Sequence, residues 1–141
     1  MKELNHKYRL LKESNWGIAI DIDGSCLEFK EENTELNYIS IHKEKGIFID
    51  ISKINHLPEI QKNILINGIK WVRDLINYPV VIKFSEVKYN FTDFQLEGLF
   101  FASAEWASIT FKFKLHDYKV SFDKKENKYI FTPNPLDLCF D

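Results

Sequence analysis

Five glycines in 141 residues leave little material for a glycine-rich phosphate loop, and the chain carries no such loop, no nucleophile elbow and no zinc-protease helix motif. Cysteine is scarce too. Cys26 and Cys139 lie far apart and lack metal-ligand spacing, which excludes a disulfide-dense scaffold and suits a reducing compartment. No apolar run approaches the roughly 18 residues that a membrane span requires, and Met1-Lys2-Glu3-Leu4-Asn5-His6 lacks the apolar core of a signal peptide. A cytoplasmic protein with no membrane partner is expected. His6, His42, His56 and His116 show no paired spacing with one another or with the cysteines. Surface or turn positions account for them, and neither a metal nor a cofactor is expected.

What the chain does have is material for a core. Hydrophobic residues make up 45% and aromatics 15%, and twelve phenylalanines must mostly be inside. At this length one domain over residues 1–141 is expected. Charge nearly balances at −2 but is unevenly spread. Asp21, Asp23, Glu28, Glu31, Glu32 and Glu35 face only Lys30, whereas Lys112, Lys114, Lys119, Lys124, Lys125 and Lys128 crowd the last third.

Register predicts three hairpins. Asp23-Gly24 suits a type I′ turn between Gly17 to Ile22 and Ser25 to Lys30, setting Ile20 opposite Leu27 and Ile18 opposite Phe29. Glu44-Lys45-Gly46 sets Ile41 opposite Ile49 and Ile39 opposite Ile51. Lys124-Lys125-Glu126-Asn127 sets Phe122 opposite Tyr129 and Val120 opposite Phe131, and Pro133 and Pro135 end the pairing.

A long helix begins at Pro58, with Ile60, Ile64, Ile69, Val72 and Ile76 on one face, and stops at Asn77 and Pro79. A second begins at the capping box Thr92-Asp93-Phe94-Gln95, with Leu96, Leu99, Phe100, Ser103, Trp106 and Ala107 on one face. Phe94, Leu96, Phe100, Ala102, Ala104 and Trp106 also alternate, so a strand competes there. Val80 to Tyr89 and Ile109 to Leu115 read as strands. The class is α+β, a two-layer sandwich of hairpins, long helix, strand, second helix and C-terminal hairpin.

Ile18-Ala19-Ile20-Asp21-Ile22-Asp23-Gly24-Ser25 resembles the first motif of haloacid-dehalogenase phosphatases. That resemblance implies Asp21 as nucleophile and Asp23 as proton shuttle, with magnesium between carboxylates. The helix which that family needs after the loop is missing from the pattern, and so is its later acidic pair.

A second resemblance covers residues 57–108. Leu57-Pro58-Glu59-Ile60, then Tyr78-Pro79-Val80-Val81, then Tyr89-Asn90-Phe91-Thr92-Asp93, followed by a helix with Ala102, Ala104 and Ala107, is similar to the fourth domain of elongation factor G. It implies a left-handed βαβ fold. The ribosomal role does not transfer, because Asn90 stands for the family's histidine and Phe94 and Gln95 for its serines.

The leading expectation is a protein-binding inhibitor with no catalytic residues, an immunity protein that covers a nuclease-type toxin with the acidic run Asp21 to Glu35. Basic toxins hold phosphate, so an acidic face complements them. The alternative is an RNA- or ribosome-associated module using Lys112, Lys114, Lys119, Lys124 and Lys125, with Phe111, Phe113 and Tyr118 stacking on bases. A small phosphatase is the second alternative.

Overall fold

The computed structural model describes residues 2–11, 16–31 and 38–141. Strands β1 (Lys2–Leu11), β2 (Gly17–Glu28), β3 (Tyr38–His42), β4 (Ile47–Asp50) and β5 (Val80–Tyr89) form one sheet in the order β1-β2-β5-β4-β3. Helices α1 (Glu59–Val72) and α2 (Glu97–Phe111) pack on each other and on the sheet. A separate hairpin, β6 (Lys119–Asp123) and β7 (Lys128–Thr132), leans on α2 through Phe131, whose ring stacks on Phe101. The chain is α+β, as expected. β4, α1 and β5 make a parallel crossover, with Ile49 beside Ile82. No described helix is long and apolar enough to cross a membrane.

The expected Asp23-Gly24 hairpin does not form. β2 runs straight through it for twelve residues, paired with β1 along one edge and β5 along the other. Two neighbours supply ladder hydrogen bonds along nearly the whole strand, which outweighs one local turn preference. The Asp-Gly pair survives only as a register irregularity against β5. β1 has no counterpart among the expected elements. Its inward positions Leu4, His6, Tyr8 and Leu10 mix polar with apolar residues, so its alternation is blurred in hydropathy.

The Glu44-Lys45-Gly46 hairpin exists but slips by two residues, placing Ile39 opposite Ile49. A slip of two keeps each side chain on its face. Gly46 takes φ 71°, as a left-handed turn position requires. The last hairpin has the expected register, Phe122 opposite Tyr129 and Val120 opposite Phe131. Asp123 fixes its turn by accepting from the backbone N–H groups of Lys125 and Glu126.

α1 keeps the expected start and buries Ile64, Ile69 and Val72, but Ile60 is exposed. α2 is a helix, not a strand, and starts five residues late. Phe91–Asp93 forms a 3-10 turn, Phe94 is extended, and the capping box is absent. Gln95 is used differently: its side-chain amide donates to the Tyr129 carbonyl at 2.7 Å and accepts from the Tyr129 N–H at 2.8 Å. It completes the ladder on the free edge of β7. Phe101, Ala102 and Ala104 are buried along with the expected face, because the sheet, α1 and the hairpin surround α2.

The expected strand Ile109 to Leu115 is instead the end of α2 and an irregular segment. Lys112 closes the helix in the left-handed conformation, φ 58°, and the Phe113 N–H donates to the Ser108 carbonyl. A lysine bears a steric cost there that glycine does not. Lys112→Gly is expected to stabilise the fold by about 0.5–1 kcal/mol in urea melts. An unchanged or lowered midpoint would show that the cap is unstrained.

Candidate interface on the open face of the sheet

Strand alternation divides the residues of β2. Ile18, Ile20 and Ile22 are buried toward the helices, so Ala19, Asp21, Asp23, Ser25 and Leu27 project from the opposite, open face. Register adds Asn5, Lys7 and Arg9 from β1, Val81, Lys83 and Lys88 from β5, and Phe48 and Asp50 from β4.

One half of this face is polar and internally paired. Arg9 donates to Asp21 at 2.6 Å, with Lys7 3.8 Å from the same carboxylate. Asn5 donates to Asp23 at 2.6 Å. Lys83 lies 3.8 Å from the buried Asp50, whose other oxygen accepts from the Ser52 N–H. Two shallow depressions of about 650 and 570 Å³ flank these pairs, one walled by Arg9, Lys88, Tyr89 and Phe91, the other by Asn5, Lys53, Lys83 and Ser85.

Among the described residues, the expected acidic side chains do not all share one surface. Asp21 is paired with Arg9 and Lys7 where it stands, and Asp23 is hydrogen-bonded by the neutral amide of Asn5. Glu28 lies seven residues beyond Asp21 on the same strand, roughly 23 Å away at about 3.3 Å per residue, and has the opposite parity. Glu31 is exposed, and Glu32 and Glu35 lie outside the described residues. The phosphatase geometry is missing as well, since Asp21 and Asp23 sit within a central strand with no loop and helix following them.

The other half is apolar. Leu27 is 46% exposed, beside Val81 on β5, and Phe48 lies beyond it on β4. Phe29 packs on Phe48 with ring centroids 4.5 Å apart, and Tyr38 approaches Phe48 at 6.4 Å. The sequence missed this patch through one parity error. A two-residue hairpin puts Leu27 and Phe29 on the same face as Ile20 and Ile18, whereas an unbroken strand puts them on the opposite one.

The expected base-stacking aromatics are engaged elsewhere. Tyr118 stacks on Phe101 at 4.0 Å, and its hydroxyl bonds Glu105 at 2.9 Å and Tyr8 at 3.2 Å. Burial holds both phenols well above their usual range. Phe111 lies against Trp106 and Tyr78, and Phe113 is packed on the core. Lys112, Lys114, Lys119, Lys124 and Lys125 are all exposed.

His6 departs from the expected surface or turn position. His6 is largely buried and lies 2.9 Å from Glu105, and His116 contacts the Trp71 ring and carbonyl. Among the described residues no three His, Cys, Asp or Glu side chains converge as a metal site would need. Both cysteines are free, and burial pushes the Cys26 thiol up. Compared with protein-family models, curated proteins and solved structures, the chain matches none.

Proposed function

We propose that the chain is a protein-binding inhibitor of the immunity type, which covers the working surface of a basic, nuclease-type toxin with the apolar half of its open sheet face. The observation that carries this reading is Leu27, 46% exposed on a patch with Phe29, Tyr38 and Phe48, beside a surround of fixed charges. Protein interfaces are built in this way, with an apolar and aromatic centre and a polar rim. Glu28 and the exposed Glu31 follow Leu27 directly in the chain, and so bring negative charge beside the patch. A partner that holds phosphate is basic, and such charges steer it here. No catalytic step belongs to this reading. The resemblance to the fourth domain of elongation factor G enters only as an analogy of fold.

Leu27→Asp is expected to weaken capture of a basic toxin roughly 30-fold, as loss of an interface anchor does, with the unfolding midpoint nearly unchanged. Reversing Glu31, Glu32 and Glu35 to Lys is expected to slow association, most of all at low ionic strength, where the Debye length reaches about 30 Å. Pull-downs with wild-type and variant chains test both. A basic partner held equally by wild type and Leu27→Asp, or no basic protein held by either, overturns the reading.

A further inference from the structure

The lysines of the last third form a surface that the inhibitor reading does not use. Residues 112–128 hold six lysines against three carboxylates, a local +3 in a chain whose total is −2. Every one of the six is exposed, and among the described residues none has an acidic partner within ion-pair reach. One of the three carboxylates, Asp123, is occupied by its own turn.

These charges are held on an ordered scaffold. Phe111, Phe113 and Leu115 are partly buried against the core, while Lys112 and Lys114 between them are exposed. In the hairpin, Tyr129 and Phe131 are buried and Val120 and Phe122 partly so, which leaves Lys119 and Lys128 on its outward side and Lys124 and Lys125 at its tip. The hairpin is pinned by Gln95 to Tyr129, by Tyr129 to the Trp16 carbonyl at 2.6 Å, and by Trp16 to Asn127 at 3.1 Å. Lys119, Lys124, Lys125 and Lys128 therefore project from the outward side and tip of one docked hairpin, and Lys112 and Lys114 follow the C-terminal end of α2.

We propose that this lysine surface binds the phosphate backbone of duplex nucleic acid without reading its sequence. Fixed cations complement a regular array of phosphates, and contacts to phosphate position a protein without specifying bases. The inward rings decide between duplex and single strand. Single strands are captured by stacking on exposed aromatics, and here Phe113, Tyr118 and Phe122 are turned into the core.

The test is fluorescence anisotropy of the full chain with a labelled random-sequence duplex of about 20 base pairs between roughly 50 and 200 mM salt. With four to five phosphates neutralised, log K is expected to fall against log salt with a slope of about −4, alike for unrelated sequences. Lys114→Glu, Lys119→Glu, Lys124→Glu and Lys125→Glu combined should cost at least tenfold in affinity and flatten the slope by about one unit per lysine, with the thermal midpoint unchanged. The same four lysines changed to Ala keep the test alive if reversal harms folding. Leu27→Asp is expected to leave duplex binding intact, which separates this surface from the inhibitor face. The proposal is overturned by no binding at the lowest salt, by equal binding of the lysine variants, by tighter binding to a single strand, or by binding to phosphatidylserine vesicles but not to duplex.

Discussion

Gly68→Ala is expected to cost about 3 kcal/mol of stability, although the substitution favours the helix itself by about 1 kcal/mol. Gly68 lies on the face of α1 that meets α2, and a Cβ there would collide with the Ser103 hydroxyl and the Phe100 carbonyl. The hydroxyl is tied down, since Ser103 donates to the Leu65 carbonyl across the interface at 2.9 Å. A methyl group would push the helices apart or displace Ser103, leaving buried polar atoms unpaired. Ser103→Ala on top of Gly68→Ala should recover only part of the loss, because the Phe100 carbonyl is backbone and cannot step aside. Urea unfolding of the single and double variants measures both effects. A stabilised Gly68→Ala would mean that helix propensity outweighs the contact and that α1 and α2 are not closely packed here.

That contact also shows which parts of the fold the sequence made legible. Periodicity located α1 and the C-terminal hairpin, because each buries one face and follows its own period from Pro58 and Lys119, and β5 stood out as an apolar run from Val80. Its reach ended where burial is not one-sided. α2 is covered on several sides, so its apolar residues fit helix and strand templates alike, and its start was assigned to Thr92-Gln95 when Gln95 serves β7 instead. β1 went unseen because a tyrosine and a histidine take two of its inward places.

The candidate site suffered most from a local rule overruled by distant partners. Asp-Gly between alternating apolar residues is a strong short-range hairpin signal, and nothing near it in sequence announces that β1 and β5 will pair along both edges. A turn there reverses the facing of residues 25–30. Such a turn would put Leu27 and Phe29 in the core and Asp21 on the same face as Glu28, whereas the unbroken strand does neither. The lysine surface was visible as composition. That its aromatic neighbours point inward depends on the docking of the hairpin on Phe101, which sequence spacing does not encode.

Gly24→Asn separates the two readings of that segment sharply. In a type I′ turn asparagine is nearly as well tolerated as glycine, and the change would cost a few tenths of a kcal/mol. In the unbroken β2 the added Cβ would lie 2.7 Å and 2.8 Å from two indole carbons of Trp106, and 3.0 Å from the Phe84 ring. Trp106 cannot retreat freely. It is fully buried, sits edge-on to Phe84 at 5.2 Å, and its indole N–H donates to the Leu4 carbonyl at 2.9 Å. A polar amide forced between the strand and that ring combines overpacking with an unpaired buried group, and about 4 kcal/mol is expected. Gly24→Ala isolates the steric part, about 2–3 kcal/mol. In a Trp106→Phe background the six-membered indole ring is gone, so the added methyl finds space and the cost of Gly24→Ala should fall by about 1–2 kcal/mol, the coupling expected of residues in contact. Denaturant melts of the four proteins in this cycle give the coupling directly. Equal costs of Gly24→Ala in both backgrounds would mean that Gly24 does not lie under Trp106, and a neutral Gly24→Asn would restore the hairpin and return Leu27 to the core.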